Sequence, residues 1–198
     1  MNDASRAGWS PPVHEFDLTG VDAFVWLDRH LDGHYFHSTP WVNWQSILAD
    51  RAIRPAADGF RNSALHCRNA FFPKRGCVCV FDWKTRVIED GADDTYSYRT
   101  RCHPLRGGDG GVTALLVLRD SIAASLISWR QCWEQHALDE MVVPHVEAGH
   151  RGPIPIEQVE RVLAVTLPKE KPWPGCLLEG LSESALESPL KTPHRPIH

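Results

Sequence analysis

Apolar residues recur along this chain at two different periods. In CVCVF (77–81) they alternate, setting Cys77, Cys79 and Phe81 against Val78 and Val80, as on a strand packed on both faces. VTALLVL (112–118) is apolar throughout and predicts a strand buried on both sides. Shorter strands are predicted at HYFHS (34–38), MVVPHV (141–146) and RVLAVTL (161–167). Val21, Phe24, Val25 and Leu31 fall at helical intervals and predict a helix from Thr19. Trp41, Trp44, Ile47 and Leu48 share one side of a second helix. Its cap would be the Ser38 or Thr39 side chain, with Pro40 in the first position, where a missing N–H is no loss. A third helix is expected after Asp120 or Ser121, carrying Ile122, Leu126, Ile127 and Trp129, and a turn at PIPIEQVER (153–161).

Strands and helices in mixed rather than alternating order favour an α+β fold. A single domain over 1–167 is expected, with 1–16 as an irregular lead-in and 168–198 as an extended proline-rich tail. The stretch 84–111 is polar, carries EDGADD and RGGDGG, and reads as a long loop. RGGDGG lacks the Lys-Ser/Thr of a phosphate-binding P-loop.

Charge narrows the function classes. A formal net charge of −4 supplies no global basic field for nucleic acid, although Arg61, Arg68, Lys74, Arg75, Arg99 and Arg101 could touch a phosphate backbone locally. No apolar run is long enough to cross a bilayer and the amino terminus lacks a signal-peptide layout, so a cytoplasmic protein without a membrane partner is expected. The six cysteines then read as free thiols. A zinc site of Cys67, Cys77, Cys79, Cys102 and His103 is disfavoured, because Cys77-x-Cys79 lies in an alternating strand rather than a tight turn. His34 and His37, three apart on a strand, point to opposite faces and do not make a metal pair. No metal is expected.

Three segments carry the candidate chemistry: Tyr35-Phe36-His37-Ser38-Thr39 ahead of QSILADRAIRP, then RGCVCVF (75–81), then EMVVPHVEAGHRGPIPIEQV (140–159). In this order they resemble the ADP-ribosyltransferase superfamily, whose members cleave NAD at the nicotinamide–ribose bond and pass ADP-ribose to an acceptor. The resemblance implies split mixed and antiparallel β-sheets with flanking helices, NAD as substrate, and a toxin or defence role. The acceptor would be a protein, a nucleic acid or a small molecule, and a cognate inhibitor protein could accompany such a toxin. It implies a catalytic carboxylate at Glu140, where the apolar run begins, with Glu147 as the alternative. On an unbroken strand these two project to opposite faces, an argument that Pro144 would spoil. It further implies that His37 with Ser38 or Thr39 positions the ribose and the nicotinamide amide. Arg75 or Arg54 would meet the pyrophosphate beside Gly76, and Phe81 or Tyr35 would supply the ring that stacks on nicotinamide, since Cys79 holds the usual aromatic place.

Structural readings compete at each position. His37 can be a core histidine satisfied by a backbone carbonyl, Glu140 a solvated strand-start residue paired with Arg119 or Arg130, and Trp41, Trp44, Cys77 and Cys79 packing residues. Two alternative functions stay open: a non-catalytic binding module on the same fold, and an enzyme resembling RNA 2'-phosphotransferases.

Overall fold

In the computed structural model the described residues are 10–55, 71–100, 102, 104–105, 111–134 and 142–167. The elements run β1 (Val13–Asp17), α1 (Ala23–Leu31), β2 (Tyr35–Pro40), α2 (Val42–Asp50), β3 (Ala52–Ile53), α3 (Phe71–Lys74), β4 (Cys77–Asp82), β5 (Ile88–Glu89), β6 (Ala92–Asp93) and α4 (Thr95–Thr100). They continue with β7 (Val112–Leu118), a 3-10 turn at Asp120–Ser125, β8 (Leu126–Ser128), α5 (Trp129–Glu134), β9 (Glu147–Arg151), β10 (Ile154–Pro155), a 3-10 turn at Ile156–Gln158 and β11 (Val159–Thr166). Seven strands form one mixed sheet in the order β1-β11-β7-β2-β4-β9-β8, in which only β1 and β11 run parallel. The α+β class expected from the sequence is the class observed.

Alternation along the central strands builds a core on each side of the sheet. On one face Phe36, Phe81, Leu115, Val117, Leu163 and Val165 pack beneath Ala23, Trp26, Leu27 and Leu31 of α1. On the other, Val78, Val80, Ala114, Leu116, Leu118 and Val162 pack against Trp44 and Ile47 of α2. Fully burying a side chain such as Leu27 or Leu116 stabilises the fold by about 1.5–3 kcal/mol. A third cluster joins Phe71 and Phe72 of α3 to Cys77, Cys79 and Cys132. The cysteines in it are packing residues, as the two-faced reading of CVCVF anticipates.

Several local expectations are corrected. The helix expected from Thr19 begins at Ala23, because Asp22 caps it by accepting from the amides of Phe24 and Val25 at 2.9 and 3.2 Å, and Val21 and Val25 stay exposed. Ser38, Thr39 and Pro40 do not cap or open α2; they belong to β2, and Trp41 takes the cap position without a side-chain bond. The lead-in contains β1, held along β11 from Val13↔Val162 to Asp17↔Thr166. The helix expected around Ile122–Trp129 is a 3-10 turn followed by β8, whose Ile127 pairs with Gly149 of β9. The polar stretch 84–111 contains β5, β6 and α4. No strand covers Val142–Val146; the chain turns there and β9 starts at Glu147. The tail after Leu167 lies outside the described residues.

Gly149 is fixed by packing. A Cβ added there would stand 2.0 Å from the Phe72 ring, which is itself sealed in the third cluster. Gly149→Ala is therefore expected to lower unfolding free energy in urea by about 1–3 kcal/mol, the usual cost of overpacking.

Candidate functional site

The central feature is a parting of the sheet between β2 and β4. β2 keeps six residue pairs with β7, from Tyr35↔Leu118 to Pro40↔Thr113, but only two with β4, Tyr35↔Asp82 and Phe36↔Phe81. On its other edge β4 pairs with β9 over five residue pairs, from Cys77↔Arg151 to Phe81↔Glu147, whereas its pairing with β2 stops at Phe36. In a continued ladder the Cys79 carbonyl would accept the Ser38 amide. Instead the His37 ring enters the gap, its Nδ1 lying 2.8 Å from that carbonyl oxygen.

A carbonyl can only accept, so Nδ1 carries the proton and Nε2 presents a lone pair. Burial holds the His37 pKa below the usual histidine value, while the bond to Cys79 pulls weakly the other way. The ring is thus a neutral imidazole at physiological pH. Among the described residues Nε2 has no hydrogen-bond partner, the one ring bond being that of Nδ1.

Two strands away, Glu147 opens β9. The turn before it is tied by amides of Val146 and Glu147 donating to the Val143 carbonyl at 3.3 and 3.1 Å, with His145 in the left-handed region at φ 61°. The Val143 amide donates in return to Glu147 Oε2 at 2.5 Å. Pro144 lies inside this turn, so the strand parity that would oppose Glu140 to Glu147 does not apply. Glu147 is only 5% exposed, and burial pushes its carboxyl up to about 7, although the Val143 bond lowers it. Oε1 has no partner among the described residues.

By register Glu147 stands on the face of Phe36, Ser38 and Phe81, whereas His37 starts from the face of Tyr35 and Thr39. On an unbroken sheet the two would be separated. At the parting the imidazole turns to the Cys79 carbonyl, and Cys79 lies across from Gly149, two residues along β9 from Glu147. The Glu147 charge also raises the Cys79 and Cys102 thiols, after burial the largest influence on both.

Other predicted site residues divide clearly. Ser38 Oγ donates to the Pro104 carbonyl and Thr39 Oγ1 accepts from Asn43 Nδ2 at 2.8 Å, so both hydroxyls serve internal bonds. Phe81 is sealed and stacked on Phe36 at 4.7 Å, leaving no free ring face for a ligand. Tyr35 is partly buried against the α2-side core and lies opposite Asp82. Arg54 pairs with Asp50 at 2.8 Å on the surface, and nothing described ties it to His37 or Glu147. Arg75 stacks on Phe71 at 3.6 Å and bonds its carbonyl, while Gly76, at φ 64°, makes the turn into β4. Arg99 is not available to a phosphate backbone: it is buried, bonded to Asp28 and Asp32 at 2.7 Å and to the Trp83 carbonyl at 3.0 Å. Glu140, Arg61, Arg68 and Arg101 lie outside the described residues, as do Cys67 and His103. No group of metal-ligating side chains occurs among the described residues.

One residue escaped notice in the sequence. Arg151, exposed, faces Cys77 across β4 and β9 and shares the alternation of Glu147. Its signal was the period of two in EAGHR, counted from Glu147 rather than Glu140. Comparison with protein-family models, with curated proteins and with solved structures returns no match.

The Glu147 carboxyl makes a stability prediction. Folded, it keeps its proton up to about pH 7; unfolded, it releases it near the ordinary 4.5. Its neutral-state stabilisation is therefore complete below about pH 4.5 and is lost as pH rises through about 7. Glu147→Gln, which keeps an acceptor for the Val143 amide, is expected to match the parent in urea unfolding at pH 4.5. At pH 8 it should be more stable by about 3 kcal/mol.

Proposed function

We propose that the chain cleaves NAD at the nicotinamide–ribose bond and transfers ADP-ribose to an acceptor, with Glu147 rather than Glu140 as the carboxylate. The observation that carries this reading is the single arrangement of a neutral imidazole in the sheet parting and a buried glutamate at the start of the strand next but one. It agrees with the order of the three segments whose resemblance suggested the reaction. Breaking the glycosidic bond sends the electron pair to nicotinamide and leaves positive charge on the ribose. An ionised Glu147 beside that ribose stabilises the charge through Oε1, in a water-poor setting where the attraction is strong. It can also take the proton of the attacking acceptor. His37 Nε2, an acceptor in this tautomer, suits a ribose hydroxyl. Arg151 and Arg75 lie near the Cys77 end of β4, where a pyrophosphate would meet positive charge.

The internal bonds of Ser38 and Thr39 and the sealed Phe81 favour a second reading, a binding module on the same fold without catalysis. Nicotinamide release from labelled NAD, with water as the default acceptor, separates the two. Release is expected from the parent, reduced about a hundredfold or more in Glu147→Gln and within about twofold of the parent in Glu140→Gln. Because the carboxylate form is the active one, the rate should climb as pH rises through about 7 and level off above it. No release by the parent, with NAD binding retained, would favour the binding module.

A further inference from the structure

The turn that delivers Glu147 is gripped at its tip by three other elements. His145, its left-handed residue, lies between two aromatic rings: Tyr98 of α4 at 4.7 Å between centroids and Trp129 of α5 at 4.4 Å. Its Nε2 is 3.5 Å from Glu89 Oε1 of β5, and the same oxygen accepts from the Tyr98 hydroxyl at 2.7 Å. Arg130 stands over the outer part of this cluster, its guanidinium 5.4 Å from the Trp129 ring. The stretch 88–98 and α5 are far apart in sequence and meet at His145.

A left-handed backbone is uncommon for a residue with a Cβ and persists where its surroundings hold it. Here the surroundings are the two rings and the Glu89 carboxylate. Val143, two residues before His145, donates to Glu147, two residues after it, so any loosening at the tip reaches the carboxylate through a single hydrogen bond. Asparagine also accepts this backbone conformation but brings no ring.

We infer that His145 is a positioning residue for Glu147, clamped between Tyr98 and Trp129 so that the 143–147 turn holds the carboxylate at the opening of β9. The inference rests on Glu147 being the working carboxylate, but the clamp itself can be observed without catalysis. The NMR titration of the Glu147 side-chain carboxyl carbon, in selectively labelled protein, reports how well the group is kept from water. In the parent its midpoint should sit near 7, where burial puts it.

In His145→Asn that midpoint should fall clearly toward the ordinary carboxylate range while the melting temperature changes little. Nicotinamide release should drop about ten- to a hundredfold in kcat, with KM for NAD within about twofold, as expected when a catalytic group is misplaced and substrate binding is left intact. Trp129→Leu, which removes one wall and leaves the turn sequence intact, should shift the titration in the same direction; it also serves if the asparagine variant folds poorly. An unchanged Glu147 midpoint in both variants would overturn the clamp. A shifted midpoint in a protein whose parent releases no nicotinamide would uphold the clamp and reject the catalytic reading, so the two failures are distinguishable.

Discussion

The hydrogen bond from the His37 imidazole to the Cys79 carbonyl is the constraint on which the rest of this site depends. A β-sheet normally satisfies such a carbonyl with the amide of the neighbouring strand, and a buried carbonyl left bare would cost about 1–3 kcal/mol. Here a side chain takes the amide's place. That substitution satisfies the Cys79 carbonyl where β2 stays with β7 and β4 with β9. The same bond fixes the tautomer, so that Nε2 can only accept. One interaction thereby sets the topology and the chemistry together.

The second constraint is electrostatic. Glu147 is buried in a place where its charge is poorly solvated, yet a backbone amide is aimed at one of its oxygens. A residue selected only for packing gains nothing from this arrangement, since a glutamine or an apolar side chain would be easier to bury. Carboxyls held near neutrality recur where a group must change its protonation or face developing charge. Around it the supports are layered: Val143 holds the carboxylate, His145 the turn, and Tyr98 and Trp129 hold His145. Phe72 of α3 lies over Gly149 of β9 and leaves no room for a side chain there.

What the sequence made legible was the part governed by local periodicity. The two-faced alternation of CVCVF, the doubly buried VTALLVL and the tryptophan-bearing side of α2 follow from side-chain spacing alone. What it concealed depended on partners distant in the chain. β1 reads as polar lead-in because its VHEFD is mostly exposed and is held in place by parallel pairing with β11 and by Phe16 against Trp26. Leu126 and Ile127 suit a helix equally well, and the free edge of β9 draws them into a strand. The helix starts after Asp22 rather than at Thr19 because the Asp22 oxygen reaches two amides. In the candidate site, the polar end of β2 at His37 follows from its neighbours, but the start of β9 does not: the apolar MVV suggests a strand beginning at Glu140, whereas the turn at Pro144 and His145 precedes a strand that begins at Glu147. The cover over Phe81 is likewise invisible in the sequence, since only the fold stacks Phe36 on its ring.

The most direct test of the account is the ring state of His37 with and without NAD. Long-range proton–nitrogen spectra of protein labelled at histidine should show His37 neutral at pH 7, with Nδ1 protonated and its titration displaced below the usual histidine value. Addition of NAD should move the Nε2 resonance and leave Nδ1 nearly still, because the Cys79 bond is kept. A ring protonated on Nε2, or one that titrates as an ordinary exposed histidine and ignores NAD, would contradict the proposed site at its foundation.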